Sequence, residues 1–185
     1  MAKLPIKYQF LDLSDYGRSG GNWIASKLQY TSFTPIHVTT TFIVAGLIAI
    51  GFMLSGHYIL AAIFIILKSV LDAADGELSR LKNTPSYTGR YYDSIADFLL
   101  NFCFLLAFWY ISNASIIYML IAFFGIQLQG TVYNYYYVIL RNSVDGDSTS
   151  RIFEDSAPKA LKGETQKMVN IFYKIYDILY LSLIH

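Results

Sequence analysis

One cysteine in 185 residues excludes a disulfide framework, and that residue, Cys103, lies inside an apolar run where a thiol packs as a small hydrophobe. Charge is also scarce. Charged residues make up 15% of the chain, where soluble domains carry roughly a quarter. The net charge of +1 says little by itself, because the charges are segregated along the sequence; no nucleic-acid partner is expected. The stretch from Met1 to Thr34 has several charges, scattered glycine and serine, and no apolar centre. It does not read as a secretory signal, so insertion into a membrane is expected to rely on internal spans. Internal repeats and low-complexity tracts are absent.

What the chain does have is apolar length. Hydrophobic residues are 55% of it, and they come in blocks: Ile36 to Leu54, from Tyr58 onward, Ile95 to Ile111, and Ile116 to Leu140. A helix needs roughly 20 apolar residues to cross a bilayer. The second block offers only Tyr58 to Leu71 and includes Lys68, so its helix must run on through Asp72, Asp75 and Ser79. The connectors Ser55–His57 and Ser112–Ser115 are short, which makes neighbouring spans antiparallel hairpins. The reading is an all-α polytopic transmembrane bundle with interfacial amphipathic helices. Residues 1–34 form an N-terminal cytoplasmic or interfacial segment, with 22–33 lying along the surface. Residues 35–141 hold four spans as a transmembrane core, and 142–164 a cytoplasmic loop. Residues 165–185 form an amphipathic helix with the start of a further span at Leu179–Ile184. In that helix Lys167, Asn170, Lys174 and Asp177 oppose Met168, Ile171, Phe172, Ile175 and Ile178.

Lysine and arginine set the orientation. Lys3, Lys7, Arg18 and Lys27 precede the first span; Arg80, Lys82 and Arg90 follow the second; Arg141, Arg151, Lys159, Lys162 and Lys167 follow the fourth. The two hairpin connectors carry none, so the positive-inside rule puts the N-terminus and all three basic segments in the cytoplasm.

The chemistry concentrates between Asp72 and Asp97, in DAADGELSRLKNTPSYTGRYYDSIAD. Asp72 and Asp75 are three apart near one helix end; Gly89, Asp93 and Asp97 are four apart at the start of the next. Such spacings share a helix face, so both acidic pairs can point into one cleft at the inner membrane boundary. Carboxylates brought together there need cations, and hard oxygen ligands suit Mg²⁺ or Mn²⁺. Two such ions would flank a phosphoryl group and stabilise both the entering and the leaving oxygen. Gly76, Ser79 and Gly89 would let a nucleotide or phosphate approach the backbone, and Arg80 could pair with a phosphate oxygen.

These residues resemble the signature of the CDP-alcohol phosphatidyltransferases, D-x-x-D-G-x-x-A-R-x8-G-x-x-x-D-x-x-x-D. Every position agrees except the alanine, where Ser79 stands. Seven strict matches arise by chance in roughly one chain in a few million. A looser family feature at the start of span one, Pro-Asn-x-apolar-Thr, is met by Pro35, Val38 and Thr39, with Ile36 in place of asparagine. The resemblance implies that Asp72, Asp75 and Asp93 bind two divalent cations, Mg²⁺ or Mn²⁺, with Asp97 near the second and also serving as general base. It implies that Gly76 and Ser79 line the cytidine side, that Gly89 belongs to the same pocket, and that Arg80 meets the donor phosphates. The partners it implies are a CDP-linked lipid or alcohol donor, a small polar alcohol or lipid acceptor, and membrane lipids, with a homodimer left open. It also implies six spans, of which this sequence shows four and the start of a fifth.

Plainer readings stand beside these. The carboxylates could be helix-end groups paired with Lys68, Arg80 and Arg90, which leaves the glycines unexplained. Lys68 reads as structural, and Glu77 as facing solvent or headgroups. Gln127, Gln129 and Asn134 read as interhelical hydrogen-bond partners or as the lining of an acceptor pocket. Tyr133, Tyr135, Tyr136 and Tyr137 read as an interfacial belt. CDP-diacylglycerol with a small polar acceptor is the first substrate choice, and a CDP-aminoalcohol with diacylglycerol the second. A divalent-cation transporter is the rival from another class, but its acids would sit nearer the bilayer midplane.

Overall fold

The computed structural model describes residues 6–8, 16–144, 151 and 155–180. Among these residues there are six α-helices and no strands, as the apolar blocks require. They are α1 (Arg18–Leu28), α2 (Pro35–Leu54), α3 (Tyr58–Leu81), α4 (Tyr87–Ser112), α5 (Ile116–Ser143) and α6 (Gln166–Tyr180). Helices α2, α4 and α5 are long and apolar enough to cross a membrane. Helix α3 is long enough too, at 24 residues, but its C-terminal half carries the charges. The start of a further span at Leu179–Ile184 lies mostly outside the described residues.

Local chemistry sets the ends. Helix α2 opens with a capping box: the Thr34 hydroxyl accepts from the His37 backbone N–H, and the His37 ring accepts from the Thr34 backbone N–H, with Pro35 in the first turn. The turn into α3 needs a left-handed residue, and Gly56 supplies it at φ +77. Ser86 caps α4 by accepting from the Gly89 N–H at 2.9 Å. Asn113, at φ 53, closes α4, and Ser115 caps α5.

Helix α2 is the organising element. Its buried positions Val38, Phe42, Ala45, Ala49 and Met53 recur every three or four residues and form one stripe. That stripe packs against both α3 and α4. Phe42 joins Ala96, Leu100 and Leu71, while Met53 joins Ala61 and Ala107 farther along the bundle. Helices α3 and α4 therefore lie on either side of α2, and their site-bearing ends face each other chiefly through side chains.

Two elements brace that end. Helix α1 crosses the C-terminal half of α3, with Ala25 buried against Ala74 and Leu78. The approach is close: a methyl group added to Gly21 would sit 2.9 Å from Ala73 Cβ and 3.0 Å from the backbone at Ala73 and Ala74. The segment around residues 22–33, expected along the membrane surface, is thus partly a packing helix. Helix α6 lies on α4 through a third face that the amphipathic reading did not separate. Tyr173 and Tyr176 pack on Tyr91, Phe172 on Tyr92, and Tyr180 on Phe98. The Tyr180 hydroxyl donates to the Ser94 carbonyl at 2.8 Å. Among the described residues helix α5 packs chiefly on α4, and most of its apolar side chains stay exposed on the bundle surface. Exposed apolar area on that scale belongs in lipid.

Candidate active site and metal centre

The last three turns of α3 and the first three of α4 meet at one end of the bundle. Asp72, Asp75 and Asp93 each offer a carboxylate oxygen, and these atoms lie within 4.8 Å of one another. The sequence spacing and the antiparallel hairpins through α2 account for this convergence. Asp75 is buried, 7% exposed, and its Oδ2 accepts a hydrogen bond from the Thr39 hydroxyl at 2.7 Å. Thr39 sits on α2, one turn from the capping box, so the first span orients a carboxylate of the second. Such outer partners fix the ligand's rotamer. The donor set is wholly carboxylate oxygen, and three such groups converging from two helices fit a hard divalent cation.

Asp97 is placed differently. It lies one helical turn beyond Asp93, and among the described residues it is not part of the convergent set. Its Oδ1 accepts a hydrogen bond from the Lys68 ammonium. Lys68 also lies 3.7 Å from Asp72 Oδ2 and 4.8 Å from the centroid of the Phe42 ring. The anticipated Lys68–Asp72 pair is therefore present, but the shorter bond crosses the cleft from α3 to α4.

The remaining site residues cluster around the acids with their own engagements. The Arg80 guanidinium donates two hydrogen bonds to Glu77 Oε2, at 2.7 and 3.1 Å. Glu77, expected to face solvent, has a side chain only 13% exposed. The Ser79 hydroxyl donates to the Thr84 carbonyl at 3.0 Å, which turns it toward the connection between α3 and α4. Gly76 leaves room beside the Arg80 guanidinium, where a methyl group would make ordinary contact at 3.6 Å. Gly89 forms the capped first turn of α4, one turn before Asp93.

One residue escaped the reading of the sequence. Glu164, far along the chain, reaches back to the start of α4. Its carboxylate accepts from the Ser86 hydroxyl, the Tyr87 and Thr88 N–H groups, and the Leu161 N–H, at 2.9 to 3.2 Å. Partial burial pushes its pKa up, but the hydrogen bonds from Leu161, Thr88 and Ser86 outweigh that and hold it below the usual glutamate value. A carboxylate at a helix N-terminus is also favoured by the helix dipole. An acidic side chain followed by an amphipathic helix gives no local hint of a partner some 75 residues earlier, so no sequence signal could have found it.

Helices α2 to α4 thus shape an acidic cleft that could hold a metal ion, in a bundle with three helices long and apolar enough to cross a membrane. A model of the CDP-alcohol phosphatidyltransferase family matches residues 33–153, which includes every acid of the cleft as well as Thr39 and Lys68. The chain belongs to that family, and is therefore an enzyme, a membrane phosphotransferase of phospholipid synthesis. The family uses a CDP-linked donor, an alcohol acceptor and divalent cations. No curated protein matches the chain. Helix α6 and Glu164 lie outside the matched region.

Proposed function

We propose that this chain transfers a substituted phosphate group from CDP-diacylglycerol to the hydroxyl of a small polar alcohol and releases CMP. The observation that carries the reading is the convergence of Asp72, Asp75 and Asp93 from two helices, with Thr39 orienting Asp75. These three residues would hold a divalent cation, Mg²⁺ or Mn²⁺. Such an ion supplies charge that offsets the donor's phosphate oxygens and makes the phosphorus more electrophilic.

The protein's own groups do the rest. Gly76, Gly89 and Ser79 leave space at the mouth of the cleft for the nucleotide, and Arg80 exchanges Glu77 for a donor phosphate as the donor enters. The acceptor oxygen attacks the β-phosphorus while its proton passes to Asp97, and the bond to the CMP phosphate breaks. Attacking and leaving oxygens lie in line, so placing them correctly is most of the catalytic task. A second divalent cation would sit near Asp97. The ends of α3 and α4 that form the cleft also carry Arg80, Lys82 and Arg90, and Arg141 ends α5 on the same side. That asymmetry favours a cytoplasmic active site with the N-terminus inside. With α3 taken as the second, the alternation of the hairpins supports four spans.

The test is CMP release by the purified protein in lipid. CDP-diacylglycerol is offered with a panel of polar alcohols, and CDP-choline with diacylglycerol. Release from the first donor, abolished by Asp97→Asn, is the expected result. Release from CDP-choline alone would reassign donor and acceptor within the same chemistry. Divalent-ion flux without CMP release would replace the reading with transport.

A further inference from the structure

We propose that Glu164 and Tyr180, at the two ends of α6, are positioning residues for the transfer reaction: they clamp the first turns of α4 and so set where Asp93 and Asp97 stand relative to the acids of α3. The inference rests on the metal reading of Asp72, Asp75 and Asp93 given above and adds what holds one wall of that cleft in place.

The two walls, α3 and α4, both pack on α2, and the apolar contacts of α2 with α4 centre on Ala96, Leu100 and Ala107. Those positions begin in the third turn of α4, whereas Gly89 and Asp93 lie in its first two turns. There α2 contributes the hydrogen bond between the Thr40 and Tyr92 hydroxyls, at 3.3 Å. The side of the same turns that carries Tyr91 is covered by α6.

Helix α6 runs alongside α4 in the same direction. Glu164 meets Ser86, Tyr87 and Thr88. Tyr173 and Tyr176 meet Tyr91, Phe172 meets Tyr92, and Tyr180 meets Ser94 and Phe98. The contacts advance together along both helices, over the turns that bear Gly89, Asp93 and Asp97. Tyr91 is fully buried beneath them, and the Arg90 guanidinium lies over the rings of Tyr91 and Tyr176.

Apolar contact is non-directional and lets packed helices shift, whereas hydrogen bonds hold both distance and angle. Each Glu164 oxygen accepts twice. Oε1 takes the Tyr87 and Leu161 N–H groups, and Oε2 takes the Ser86 hydroxyl and the Thr88 N–H. Because the Ser86 hydroxyl donates to Glu164, its oxygen is turned to accept from the Gly89 N–H, one turn before Asp93. Tyr180 fixes the other end by donating to the carbonyl of Ser94, the residue that follows Asp93. A displacement of about 1 Å in a reacting centre can cost roughly 10²-fold in rate. The clamp therefore acts on the reaction through Asp93 and Asp97, without itself touching substrate.

Mn²⁺ affinity of the donor-free protein in phosphatidylcholine nanodiscs, read from the free-ion electron paramagnetic resonance signal, tests this together with kcat for CMP release. Glu164→Gln keeps the size of the side chain but places an amide NH₂ where other donors already point. It is expected to weaken Mn²⁺ binding about 10-fold and to lower kcat on the order of 10-fold. Tyr180→Phe keeps the ring on Tyr176 and Phe98 and removes one hydrogen bond, so it should give a smaller loss of both. Val169 is fully buried on α6 between the two clamps, and Val169→Ala serves as the control for packing alone. It should lower the unfolding temperature and leave Mn²⁺ affinity unchanged. Unaltered Mn²⁺ affinity in either a monodisperse Glu164→Gln or a monodisperse Tyr180→Phe protein would overturn the proposal and leave the metal reading intact. Weakening in Val169→Ala as large as in Glu164→Gln would overturn it too, since the effect would then follow packing and not position. No Mn²⁺ binding by wild type would overturn the metal reading itself, and this inference with it.

Discussion

The two halves of α3 face opposite environments although they belong to one continuous helix. From Tyr58 to Leu67 the helix shows its apolar side chains to the outside: Ile59 is 81% exposed and Ile63 and Ile66 each 53%. From Lys68 to Arg80 it is enclosed by α1, α2 and α4, and Ala74 and Leu78 are fully buried beside Asp75. In a water-soluble protein the pattern would be inverted. In a bilayer it is the expected one, because lipid solvates the apolar half and only protein can shelter the charged half. The lesson is that burial here marks the polar machinery, and exposure marks lipid contact.

The sharpest way to break this comparison is to remove a charge from the enclosed half. Asp75→Asn or Asp93→Asn should lower kcat/KM for CMP release on the order of 10²–10³-fold or more, with the protein still folded by size-exclusion chromatography. A smaller effect is expected from Thr39→Val, which keeps the shape and removes the hydrogen bond to Asp75. Mn²⁺ affinity should fall roughly 10–100-fold, measured by titration against the free-ion electron paramagnetic resonance signal, while unfolding temperature changes little.

Packing comes next. Gly21→Ala would press a methyl group into the α3 backbone at Ala73 and Ala74. The strain should cost about 1–3 kcal/mol in stability, read by thermal unfolding in detergent, and it falls on the enclosed half. The smallest effect belongs to the other half. Ile63→Ala changes a lipid-facing side chain and should alter stability by about 0.5 kcal/mol or less, with no change in activity. If Ile63→Ala proved as damaging as Gly21→Ala, the lipid-facing assignment of the outer half would fail.

Much of this was legible before the structure. The apolar blocks and short connectors implied α2 through α5, and the three- and four-residue spacings placed Asp72, Asp75, Gly89, Asp93 and Asp97 on facing helix surfaces. Thr39 was visible as a matching residue, but its bond to Asp75 was not, since pattern carries no distance between spans. The four aspartates read as facing one cleft; in the structure Asp72, Asp75 and Asp93 converge, and Asp97 is bonded to Lys68 of the opposite helix, a contact that spacing along one helix cannot reveal. Glycines 17, 20 and 21 read only as scattered glycine in a charged N-terminal segment, whereas they let α1 approach Ser69, Val70 and Ala73 of α3. The tyrosines of α6 and the Glu164 cap on α4 depend on long-range packing that periodicity along one helix cannot reveal.

The most direct test of the central claim is to strip divalent ions from the purified protein in nanodiscs and follow CMP release as Mn²⁺ is added back. The account predicts no release after chelation and full recovery on titration in wild type, with Asp93→Asn failing to recover at any ion concentration. Release that persists after complete chelation, or an Asp93→Asn protein that recovers like wild type, would contradict it.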